Sequence, residues 1–151
     1  MPKSFDFEQA PGHLIRRAHQ VAVAVFMEET TGFDITPVQF AILNALIADP
    51  GEDQVTLAAK VAFDAATFGS VIARLEAKGW VRREPDAGDR RRKLLWITDA
   101  GQQAARQLKR AVGRAQGRIV GPLSPAERVQ LVTMLRKLVA GHAAPAGEDE
   151  S

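Results

Sequence analysis

The chain contains no cysteine and no tyrosine in 151 residues. Without thiols there is no disulfide framework, no thiolate metal site, no cysteine nucleophile and no thiol redox sensor, which suits a reducing compartment. A dominant charge is missing as well. The formal net charge is +2, so the pI of about 9.3 reflects a small Arg/Lys excess and the missing Tyr and Cys. The longest purely apolar run, 21–27, falls far short of the ~20 residues that span a bilayer. The N-terminus also lacks the basic segment and apolar core of an export signal. We expect a soluble, cytoplasmic protein with no membrane contact. The three histidines, His13, His19 and His142, have no metal-ligand spacing, and neither a Gly-rich phosphate loop nor a Ser/His/Asp constellation is present. No catalytic residue, metal or cofactor is expected, and no internal repeat is found.

What is present is an ordinary globular composition, 46% hydrophobic, in a length that fits one domain. Charge is unevenly placed: residues 55–98 hold nine Lys/Arg against five Asp/Glu, leaving eleven against thirteen elsewhere. Helical spacing of Leu14, Ile15, Ala18, Val21, Ala22, Val25 and Phe26 predicts a long amphipathic helix ending near Gly32. Thr36-Pro37 opens a second helix and Asp49-Pro50-Gly51 stops it. Thr56 is expected to cap a short helix to about Ala62. Asp64 should cap the next, whose Phe68, Val71, Ile72 and Leu75 share one face until Gly79. Two helices this close form a helix-turn-helix. Residues 80–83 and 93–97 read as strands around a loop with Pro85, Asp86 and Gly88, a wing. Thr98-Asp99 begins a helix carrying Ala104, Ala105, Leu108, Ala111, Val112, Ala115 and Ile119. Ser124-Pro125-Ala126-Glu127 is a capping box opening the last.

The fold expected is mainly α: a winged helix-turn-helix of about six helices plus a two- or three-stranded wing. The domain covers 11–141 after a leader, 1–10, with dimerisation helices at about 11–32, 99–121 and 124–141 and a head at about 36–98. Residues 142–151 read as a flexible acidic tail. One small head cannot cover Val25, Val132, Leu135 and Val139, which calls for a homodimer. A two-fold pair would place its reading helices one turn of DNA apart or a multiple of it, roughly 34–36 Å per turn.

On the second helix of the motif, Thr67, Ser70, Arg74 and Lys78 point outward, while Ala66, Gly69 and Ala73 let the backbone approach a major groove closely. The wing offers Arg90, Arg91, Arg92 and Lys93 to a minor groove. Asp89 is placed to accept from Arg91 and fix its direction. A solvated charge run is the other reading of these cations taken alone.

Residues 57–61 (Leu-Ala-Ala-Lys-Val), 74–79 (Arg-Leu-Glu-Ala-Lys-Gly), Asp89-Arg90-Arg91 and 97–101 (Ile-Thr-Asp-Ala-Gly) together resemble the MarR family of winged helix-turn-helix transcriptional regulators. The resemblance runs over about 11–141. It implies obligate homodimers joined by the terminal helices, which bind pseudo-palindromic double-stranded operators, usually as repressors. Asp89 and Arg91 match the family's Asp-x-Arg wing pair. Thr67, Gly69 and Ser70 fall where members contact bases, and Gly69 departs from the usual polar residue. His13, Arg16 and Arg17, at i, i+3 and i+4, share a helix face able to hold a small carboxylate. This segment is similar to a subgroup that responds to aromatic acids, with Phe33, Phe40 and Trp80 as expected apolar walls. Surface salt bridges and dimer-rim hydrogen bonds are the competing use of these cations. The function expected is thus a sequence-specific repressor released by a small aromatic carboxylate or similar anion. The alternative is a winged-helix protein–protein adaptor with weak or no DNA binding.

Overall fold

Side-chain oxygens set where most of the helices begin, by taking up the N–H groups a first turn leaves free. The computed structural model describes residues 4–143. In chain order these form a 3-10 turn (Phe7–Gln9), α1 (Pro11–Glu29), α2 (Pro37–Ala48), β1 (Glu52–Asp53), α3 (Gln54–Lys60) and α4 (Ala65–Ala77). The hairpin β2 (Val81–Pro85) and β3 (Lys93–Ile97) follows, then α5 (Asp99–Ile119) and α6 (Pro125–Gly141). Thr36, Asp64, Thr98 and Ser124 cap α2, α4, α5 and α6. Thr36 and Ser124 close full capping boxes with Gln39 and Glu127.

The start of α3 differs from expectation. Asp53, not Thr56, is the cap, its Oδ2 accepting from the Thr56 N–H at 3.4 Å and hydroxyl at 3.0 Å. The reason is long-range: Glu52 and Asp53 pair with Leu95 and Leu94 of β3, which holds residue 53 extended. The sheet therefore has three antiparallel strands in the order β1-β3-β2. Lys60 closes the other end of α3, reaching back to Glu52 and, at 3.0 Å, to Asp49. Glu52 first, then Asp49, hold its ammonium above the ordinary lysine range.

The core lies where α2, α3, α4 and the sheet meet α5. Ile42, Leu43 and Leu46 pack with Leu57, Phe68, Ile72, Leu75, Leu95 and Leu108, all fully enclosed. Each such side chain contributes roughly 1.5–3 kcal/mol on burial. The α4 stripe is Phe68, Ile72 and Leu75, with Val71 only partly covered. At the turn into α5, Thr98 donates its hydroxyl to Gly79 O at 2.6 Å and its N–H to Trp80 O at 3.0 Å. A Cβ on Gly101 would stand 2.2 Å from Trp80 O, so only glycine permits this approach.

Helix α6 and the first half of α1 bury almost nothing in one protomer. Among the described residues, α6 has no buried side chain, and Val132, Leu135 and Leu138 remain 43–46% exposed. Leu14, Ile15 and Val21 on α1 are equally bare. Among the described residues no single helix is long and apolar enough to cross a membrane. Residues 1–3 of the leader and 144–151 of the acidic tail lie outside the described residues. The rest of the leader is a turn on which Phe7 meets His13, ring centroids 4.5 Å apart.

Candidate nucleic-acid interface and effector cleft

The hairpin holds its tip by hydrogen bonds that use up the acids around it. Strands β2 and β3 pair from Val81↔Ile97 to Pro85↔Lys93, so Lys93 belongs to the strand and only Arg90 and Arg91 stand at the tip. Asp86 N–H donates to Arg92 O at 3.0 Å, and Asp86 also takes Gly88 N–H at 2.9 Å and Arg92 Nη1 at 3.5 Å. Asp89 does meet Arg91, chiefly through the backbone: its Oδ1 accepts the Arg91 N–H at 3.0 Å and Nε at 3.5 Å. Asp89 thus shapes the loop more than it aims the guanidinium, whose side chain is 94% exposed. Asp86, the second acid that tethers a wing arginine, escaped sequence reasoning because only the folded loop brings it to Arg92.

On α4, Thr67, Ser70 and Arg74 are exposed. The Thr67 hydroxyl donates to Asp64 O at 3.3 Å and that of Ser70 to Thr67 O at 2.7 Å, which leaves their lone pairs for donors such as base amino groups. Arg74 has no ion pair among the described residues and borders a cleft with Thr36 and Gln39. Lys78 does not join this face. It caps α4, bonds the Asp34 carbonyl, approaches the Asp34 carboxylate at 3.6 Å and lies 4.7 Å over the Trp80 ring. The ring and the carboxylate are brought there by β2 and by the loop before α2, neither of which helical spacing reveals.

The expected anion-holding trio is divided from the apolar clefts. Leu14, Ile15, Ala18, His19 and Ala22 of α1 line a cleft of about 510 Å³ with Ile119, Leu131 and Leu135. A smaller neighbour, about 150 Å³, joins His19, Val23 and Phe26 to Pro37 and Gln116. His13, Arg16 and Arg17 line neither, nor do Phe33, Phe40 or Trp80. Arg16 and Arg17 are exposed, while His13 is half-buried and its Nδ1 has no partner among the described residues. The cause is the roll of α1. Its packing on α5, reinforced by Glu29 bonding Arg114 at 3.0 Å and Arg118 at 3.1 Å, turns the 14/15/18/22 side toward α5 and α6. Phe40 instead borders Asn44, Ile47, Arg106 and Lys109. His19 is the polar residue common to both clefts; its position four residues before Val23 and near apolar Ala18 and Ala22 was the available signal.

Residues 33–92 match the family model described as MarR family. The HTH-type transcriptional repressor NicR of Pseudomonas putida is 30% identical over 135 residues, 89% of this chain and 85% of that protein. Among solved structures, the PcaV transcriptional regulator of Streptomyces coelicolor in complex with its natural ligand has a TM-score of 0.84 at 33% identity, covering 93% of this chain and 99% of PcaV. Bordetella bronchiseptica BpsR, whose DNA binding is described as regulated by 6-hydroxynicotinic acid, also has a TM-score of 0.84 at 33% identity, covering 89% and 96%.

Proposed function

This chain belongs to the MarR family of transcriptional regulators, and from that premise we propose that it is a homodimeric DNA-binding repressor released by a small aromatic carboxylate. The observation that carries the reading is an exposed wing tip together with an exposed α4 face: Arg90 and Arg91 serve no packing role in the protomer, and Thr67, Ser70 and Arg74 are open on α4. Cations held out by a stiff, acid-braced loop are placed to enter a minor groove while α4 lies in the major groove. Domain roles follow the same division, with 36–98 as the reading head and α1, α5 and α6 as the dimerising part. Covering the bare faces of α1 and α6 needs a second copy.

An aromatic acid suits the cleft under His19, which is apolar apart from that imidazole and lies where α1 meets both α5 and α6. His13, Arg16 and Arg17 are proposed as carboxylate partners offered from the outer side of α1, so a site using both needs surfaces from two protomers. Ligand binding then favours a dimer whose heads are misspaced for the operator, with a coupling of typically 1–3 kcal/mol.

Two measurements test this reading. Arg91→Ala should weaken binding to a duplex recovered by repeated selection from a randomised pool, and should lower the salt slope by about one phosphate contact. An unchanged slope contradicts the wing assignment. Titrating 6-hydroxynicotinic and related aromatic acids against the bound duplex should release the protein. His19→Ala and the Arg16→Ala/Arg17→Ala pair should each blunt that release. Release that is equal in all three proteins contradicts the site, and the absence of release by any acid contradicts the ligand class.

A further inference from the structure

Gln54, the first residue of α3, faces the part of α4 that carries no side chain. Its Nε2 lies 3.7 Å from where a Cβ on Gly69 would stand, so the carboxamide borders the slot that Gly69 leaves open and a longer side chain there would compete for it. Its Oε1 is enclosed and accepts no hydrogen bond among the described residues, and no acceptor there takes its Nε2 either, so the donor half of the amide is uncommitted within the protein. On its other side Gln54 lines a cleft of about 410 Å³ together with Asp53, Val55, Arg91, Arg92 and Lys93. Asp53, the one acid there, is turned onto Thr56. Gln54 therefore stands between the reading helix and the wing.

Duplex geometry dictates what passes through this gap. When a helix fills a major groove and a hairpin from the same subunit enters the adjoining minor groove, one sugar–phosphate strand separates the two grooves and runs between the two elements. Three wing cations supply charge along that path, and an amide carried on a packed helix adds a short, directional hydrogen bond that helps fix register. Resting on the DNA-binding reading above, we propose that the cleft between α3 and the wing seats this strand and that Gln54 is a positioning residue, donating an Nε2–H hydrogen bond to one of its phosphates. The contact sets the depth and register of α4 in the major groove without reading a base, and the lack of a long side chain at Gly69 leaves space for the amide.

The probe is the selected duplex, with ethylation interference mapping its phosphates. Gln54→Ala should bind about tenfold more weakly. Its base preference and salt slope should be unchanged, since no charge is removed, and interference should vanish at one phosphate per half-site. Gln54→Glu, equal in shape and anionic, should lose about a further tenfold. It carries the same test should Gln54→Ala melt early. A folded variant with wild-type affinity and interference pattern overturns the inference and leaves the DNA-binding reading standing. An altered preference at one base position also overturns it, by making Gln54 a base reader. A wild-type protein that enriches no duplex at all overturns the underlying reading instead.

Discussion

Ala62 sits in the turn between α3 and α4 with a φ of +53°, a conformation in which a Cβ crowds the following carbonyl. Glycine there removes the crowding, so Ala62→Gly should stabilise the head by about 1 kcal/mol, read as a raised midpoint in urea. A lowered midpoint would mean the turn is not strained. Gly101 tests the opposite limit. A methyl at 101 meets the Trp80 carbonyl at 2.2 Å and Ile97 Cγ1 at 2.8 Å, atoms pinned by the Thr98 hydrogen bonds. Gly101→Ala should cost about 3 kcal/mol, and a neutral substitution would show that α5 can slide away from the wing. Both positions fall inside stretches whose sequence pattern was plain, yet only backbone dihedrals and a cross-element approach reveal what each residue must tolerate. Lys78 and Asp86 make the same point for charged groups, since their partners arrive from a distant loop and from across a hairpin.

At the scale of elements, periodicity and capping chemistry were informative because both are local. The α4 stripe, the six apolar α5 positions from Ala104 to Ala115 and the caps Thr36, Asp64, Thr98 and Ser124 stand where spacing and side-chain oxygens put them. The cap of α3 and the roll of α1 were not legible, because β1 pairing and α5 packing decide them. The α1–α5 contact also carries a testable pH dependence. Hydrogen bonds from Arg114, then Arg118, hold the Glu29 carboxyl below the ordinary carboxylate range. A group with a lowered folded-state value contributes stability above its unfolded value and loses it as pH falls through the folded one. Glu29→Gln should therefore lower the melting temperature near neutral pH, and the gap from wild type should close in acid as Glu29 protonates. A gap that is constant with pH would mean the carboxylate charge plays no part in joining the helices.

For the whole molecule, the deciding feature is the apolar surface that a single chain leaves open. Leu135 lines the α1–α6 cleft at 43% exposure, and Val129, Met134 and Val139 are barer still. A charge at that surface faces water in a monomer and is buried without a partner in a dimer. Leu135→Asp should yield a folded monomer that binds one half-site weakly, because the heads no longer act together. The shape of the helical frame and the wing could be read from the chain; the surfaces proposed to share an effector between protomers could not, since helical spacing does not show how α1 rolls on α5. The central claim is that two identical chains present paired reading heads to one duplex. The most direct test is the mass of the complex with the selected duplex, by sedimentation or light scattering. The account predicts two chains per duplex, and one for Leu135→Asp. A wild-type complex of a single chain with one duplex at full affinity would contradict it.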